Sequence, residues 1–361
     1  MIRKLVFSLL VMMAASAAAQ KLQTVDKDGN PVPYASIVSE DGNIIGTTDL
    51  NGILNDVKGA EVVSITHVAY KSKKVKVGQG GRIALEDADF GLPEITVTKK
   101  PLVYAQTYYR IYYTDDYPDF KVCYYRAGVV NNSYDRKTKK ISSDEDHFSA
   151  CNMGIFKTAL NLAMGQKLKR LGGLSMGKVE DRMKRKWKDI GITFSPDGPG
   201  KQRITDRFGL VGSVVDNHDK GERRYSYDGH LMAKHQLQVA GTEKKKAKAQ
   251  KREERQSNRV DQDYVVYRID DQGNYSPEDF VVHQVATSYD DVTRDDSISH
   301  VNFLVQIFTT DRAYVTKDEL KQLKKANKMK MNYQNLAEFE RTHNIPALPA
   351  ELQKRIREVV K

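Results

Sequence analysis

The segment GLSMG, residues 173–177, places Gly173, Ser175 and Gly177 at the spacing of a hydrolase nucleophile elbow. Such a serine sits on a sharp turn from a buried strand into a helix and needs an acid and a histidine elsewhere in the chain. His218, His230, His235, His283 and His300 all follow it, with many carboxylates, so chain order permits the chemistry. What precedes it does not. GQKLKRLGG is a charged helix end with Gly172 and Gly173 as its stop signal, not an apolar strand. The spacing therefore predicts a glycine-rich link between two helices. No catalytic residue is expected, and a serine hydrolase acting through Ser175 ranks last of three function classes.

Metal chemistry would need carboxylates converging from a tight loop. DEDH (144–147) and DDVTRDD (290–296) lack the glycine-punctuated spacing of a calcium loop and read as surface loops, while DKDGN (26–30) reads as a turn. No metal and no cofactor is expected. Cys123 and Cys151 have no zinc-like spacing. Two readings stay open for them: a disulfide closing a loop of about thirty residues, worth about 3 kcal/mol, or two buried free thiols. In YAQTYYRIYY (104–113), Tyr108 and Tyr112 fall on one face of a strand and Tyr109 and Tyr113 on the other. A tyrosine-rich surface can stack on sugar rings, so a glycan-binding or other ligand-binding module is the second function class.

The chain has 361 residues, enough for two domains. Residues 1–19 read as a signal peptide: Arg3 and Lys4, the apolar run Leu5 to Met13, and Ala17 to Ala19 as the small-residue cleavage site. Export to the periplasm or the outer-membrane surface of a Gram-negative cell follows as an expectation. No other stretch has the length and apolarity of a membrane-spanning helix, and ELQKRIREVVK at the C-terminus is helix-like rather than a closing barrel strand. An integral membrane protein is not expected. The formal net charge of +11 would raise nucleic acid as a partner inside a cell. For an exported chain, an anionic envelope component or an envelope protein is the better expectation.

Residues 20–101 alternate turn signals with short β-prone runs. Asp28-Gly29-Asn30 precedes Pro31; Asp41-Gly42-Asn43 and Asn51-Gly52 repeat the device. The order DKDGNPVPYASIV, GTTDLNG, VVSITHVAYKS, VKV, IALE and LPEITVTK resembles the carboxypeptidase regulatory-like domain. It is also similar to the N-terminal extension of TonB-dependent receptors. The closest match is Gly46-Thr47-Thr48-Asp49 followed by Asn51-Gly52; Ile53-Leu54 stands where the family carries an aromatic residue. The resemblance covers about eighty residues. It implies a transthyretin-like Greek-key β-sandwich that is an accessory module without catalysis of its own.

Residues 102–315 alternate strand-like runs with helical ones at 153–171 and 178–190, the latter with Val179, Met183, Trp187 and Ile190 on one stripe. An α+β domain with an antiparallel sheet and packed helices is predicted, so the fold class is mainly β. EKKKAKAQKREERQ (243–256) has no apolar face and reads as a basic insertion, a solvated helix or mobile segment. Residues 316–361 read as C-terminal helices, opened by the capping box Thr316 to Glu319 and docking in cis. The leading expectation for function is a non-enzymatic interaction or adaptor protein of the cell envelope.

Overall fold

Asp26 opens the first turn: its Oδ1 accepts the backbone N–H groups of Asp28 and Asn30 at 2.9 and 2.8 Å, while Gly29 adopts φ +81°. Asp49 repeats the arrangement for Asn51 and Ile53, with Gly52 at φ +71°. These turns connect the strands of the computed structural model. It describes residues 21–360 apart from 58, 78–80, 89–98, 118–120, 139, 172–177 and 293–295. The proposed signal peptide and the GLSMG segment lie outside the described residues.

Seven short strands form two small sheets. β1 (Leu22–Val25) lies between β4 (Ile53–Leu54) and β7 (Gly81–Ala84), antiparallel to the first and parallel to the second. The other sheet has the order β3 (Ile44–Thr47), β2 (Ser36–Ser39), β5 (Val62–His67), β6 (Tyr70–Lys76), all antiparallel. Leu22, Ile37, Val63 and Ile65 from the two sheets share one core.

The rest of the chain builds a single ten-stranded antiparallel sheet. β8 (Leu102–Asp116), β9 (Lys121–Asp135) and β10 (Ile141–Cys151) form one meander. β11 (Thr193–Pro196), β12 (Lys201–Asp206), β13 (Gly209–Asn217), β14 (Glu222–Asp228), β15 (Gln256–Arg268), β16 (Phe280–Val292) and β17 (Ile298–Val315) form the other. β17 closes back against β8, joining both meanders. Long strands rich in tyrosine, valine and isoleucine suit this, since both faces of the sheet are covered.

Seven α-helices are described. On one face, Met164 of α1 (Gly154–Leu171), Val179 and Met183 of α2 (Val179–Lys186) and Met232 of α3 (Gly229–Ala240) pack with Tyr109, Ile111, Phe303, Val305 and Ile307. Trp187 and Ile190 complete the predicted α2 stripe, all four residues being buried. α4 (Glu243–Arg255) follows α3 and runs straight into β15. The opposite face carries the two small sheets and the C-terminal helices α5 (Lys317–Ala326), α6 (Tyr333–Thr342) and α7 (Ala350–Val360). α5 has the expected capping box, and Leu336, Phe339, Leu352 and Ile356 are buried in cis.

A polar ladder crosses that second face. Arg203, Ser213, Ser226, Tyr264, Gln284, Gln306 and Arg110 stand opposite one another on seven successive strands. Buried polar groups must find partners, and here the ladder supplies them. Arg110 Nε donates to Gln306 at 2.7 Å, and Gln306 donates to Gln284 at 2.8 Å. Gln284 in turn donates to the Tyr34 carbonyl and accepts from the Val68 N–H. Arg110 also reaches Glu340 at 3.0 Å and the Pro346 carbonyl at 2.8 Å. One row of side chains thus fastens both the N-terminal sheets and the C-terminal helices to the large sheet.

Candidate functional site

Ser175 is outside the described residues, but its candidate partners are not. His235 contacts Asp206 at 2.6 Å, His283 contacts Asp263 at 2.9 Å, and His300 pairs with Asp290. Each lies on a different pair of elements, and none shares a carboxylate with another. Among the described residues no group of three or more His, Cys, Asp or Glu side chains could hold a metal ion.

Several side chains stand elsewhere than the sequence suggests. DEDH is part of β10 rather than a surface loop, and alternation sends Glu145 and His147 to the α1 face. There Glu145 accepts from Tyr109 and from the buried Arg126. Burial pushes the Glu145 carboxyl up, but Tyr109 and Arg126 outweigh it and hold it below the usual range. Asp290 and Asp291 end β16 rather than lying in a loop, and residues 293–295 are outside the description. Tyr108 and Tyr112 are 0% and 2% exposed. Tyr108 stacks on Phe339 and donates to Glu340 at 2.7 Å. Burial leaves neither ring open for stacking on a sugar: Phe339 of α6 covers Tyr108, and Tyr112 donates to the Gly42 carbonyl. Cys123 and Cys151 are both free. Cys151 stands opposite Tyr124, so Cys123, the next residue along β9, points to the other face of the sheet. Burial also raises the Cys123 thiol.

A second buried cluster lies beneath α2. Tyr225 and Tyr275 both donate to Glu180, and their hydroxyls are 3.1 Å apart. Arg223 grips Asp216 with two bonds of 2.6 and 2.7 Å and lies 3.8 Å from Glu180. Burial raises both phenols far from neutrality, with Glu180 adding to it. These groups are saturated by one another. They pin α2 to the sheet.

What remains unsaturated is charge. Helices α1 to α4 contribute four, two, one and four net positive charges, as many as the formal +11 of the whole chain. The rest of the protein is neutral on balance. On α2 the apolar stripe faces the sheet, which turns Lys184 and Arg185 to solvent. α4 buries no residue at all and forms as a regular helix. Thr242 caps its start, and good helix formers fill its length. Lys234–Glu253 at 3.5 Å and Arg255–Asp291 at 2.9 Å tie it to α3 and β16. Lys244, Lys245, Lys248 and Lys251 make no ion pair among the described residues and are exposed. Charge counting along the sequence finds α4, but not that the folded chain sets α1, α2 and α3 on a common face of the sheet beside it.

No protein-family model matches the chain, and no curated protein matches it. Among solved structures, one described as "Lipid-protein interactions in lipovitellin" aligns with 60% of this chain and 26% of its own, at 8% identity and a TM-score of 0.30. The chain spans about a quarter of that structure's length, and a likeness this slight supports no conclusion about fold or function.

Proposed function

We propose that this protein is an exported, non-enzymatic adaptor of a Gram-negative cell envelope whose helical face docks on an acidic surface of a partner. One observation carries this: α1 to α4 hold a charge equal to the entire net charge, while the buried carboxylates Glu180 and Glu145 are spent on their own partners. A concentrated field of one sign steers association and selects complementary partners. Residues 1–19 support export, and the N-terminal sheets are read as a transthyretin-like Greek-key module of the carboxypeptidase regulatory-like kind. The glycine turns Gly29 and Gly52 and the two small sheets with a shared core support that assignment.

The test is recovery of the tagged mature protein from envelope fractions with its crosslinked partners. Wild type and a variant with Lys244, Lys245, Lys248 and Lys251 changed to Gln are compared. A discrete partner should be retained by wild type, weakened as salt rises from about 0.05 to about 0.5 M, and lost in the variant. Equal recovery by both proteins would refute the role of the helical face.

A further inference from the structure

The open end of the polar ladder lies under a cleft. Between the N-terminal sheets and strands β12 to β14 is a cavity of about 460 Å³, within the size range of small-ligand sites. Asp28, Pro31, Pro33 and Leu50 wall one side; Pro199, Lys201 and Asp219 wall the other. Ser213, Ser226 and Tyr264, in register on three strands, form the floor with Arg224. The two sides are clasped at fixed points: Lys201 to Asn30 at 3.0 Å, Lys220 to Asp87 at 2.7 Å, and Arg224 to the Tyr70 hydroxyl at 3.1 Å. The cavity is therefore held open by the same contacts that join the two parts.

Tyr264 is the feature that needs explaining. Its side chain is 2% exposed, it lines the cleft, and its hydroxyl has no hydrogen-bond partner. Buried hydroxyls are normally satisfied, and leaving one unmade is costly. Farther along the ladder Gln284, Gln306 and Arg110 are satisfied by protein groups; here no protein group pairs with the hydroxyl, and the cleft is the space beside it.

The lining decides what kind of molecule fits. Of its carboxylates, Asp26 is used by its own turn, and Asp197 and Asp216 by Arg203 and Arg223. Lys201 is likewise engaged by Asn30, and Arg224 by Glu222 and Tyr70. Asp28 and Asp219 remain as acceptors, with the floor hydroxyls able to donate and accept. An anion would meet the free carboxylates of Asp28 and Asp219, and an apolar molecule would leave Tyr264 unpaired. A polyol suits what is left: its hydroxyls donate to Asp28 and Asp219 and pair with the floor hydroxyls, and the prolines offer apolar surface to the C–H face of a ring. We propose that this cleft binds a short neutral saccharide, with Tyr264 as a direct contact. The site is on the opposite side of the sheet from α1 to α3 and is independent of the adaptor role.

The experiment is ligand-observed NMR and calorimetry on the chain lacking residues 1–19. The panel is glucose, galactose, mannose, N-acetylglucosamine and their 1,4-linked disaccharides, with spermidine and citrate as cationic and anionic counterparts. At least one saccharide should bind, and Tyr264→Phe should weaken it about 3- to 10-fold. The unfolding midpoint should not fall, because the lost hydroxyl has no protein partner. Asp219→Asn should also weaken binding. The proposal is overturned by an absence of saccharide binding, by spermidine or citrate binding in its place, or by saccharide binding that both variants leave unchanged.

Discussion

His67 makes the joint between the N-terminal sheets and the large sheet sensitive to acid. It is 1% exposed and packs edge-on against Tyr264 at 4.4 Å, with Tyr70 at 5.2 Å. Its Nδ1 accepts the Ala69 N–H at 3.1 Å, which is possible only while that nitrogen carries no proton. Burial, reinforced by the nearby Arg224 guanidinium, holds its pKa down to about 3. In the unfolded chain the imidazole titrates normally, at about 6.5. The unfolded state therefore binds one more proton than the native state between about pH 6.5 and about pH 3, and stability falls as pH falls through that window. From about pH 7.5 to about pH 5 the loss from this one group is about 2 kcal/mol. His67→Asn keeps an acceptor for Ala69 but removes the titration. It costs stability at neutral pH through lost packing, yet its denaturant midpoint should depend less on pH than that of wild type. Urea unfolding of both proteins across the window checks this. A wild-type curve no steeper than that of His67→Asn would refute the neutral, buried assignment.

Further perturbations follow from the same contacts. Arg110→Met removes three hydrogen bonds at the ladder's end and should destabilise by about 3 kcal/mol, read from urea midpoints; a loss under about 1 kcal/mol would mean the C-terminal helices are held by apolar packing alone. Gly52→Ala should cost about 2 kcal/mol or more, because φ is +71° and the added Cβ would lie 2.3 Å from the Thr24 carbonyl oxygen. Thiol titration of the denatured, unreduced protein should find two free thiols, Cys123 and Cys151, with Cys123 unreactive until unfolding; a single bridged species would contradict the strand register.

Local chemistry made much of this fold legible. The Asp–Gly–Asn turns, the Thr316 capping box, the α2 stripe ending at Ile190 and the face alternation along β8 are all decided by near neighbours in sequence. Two kinds of feature were not. DEDH looks like a loop because its charges suit solvent, yet Glu145 is recruited by Arg126, nineteen residues earlier in sequence and on the adjacent strand. Tyr108 and Tyr112 look like an open stacking surface because nothing near them announces that α6 will cover one ring, or that the Gly42 carbonyl will accept from the other. The cleft was invisible for the same reason: Tyr264, Asp28 and Asp219 meet only through the joint between the N-terminal sheets and β12 to β14. Pairing register, not residue type, creates that site.

The most direct test of the adaptor role is photo-crosslinking in intact cells from two positions. A photoreactive residue replaces Lys248 on α4 in one strain and Lys321 on α5, on the opposite face of the sheet, in another. One discrete crosslinked species is expected from position 248 and none from position 321. The same product from both positions, or none from 248 in a protein that is correctly localised and folded, would contradict it.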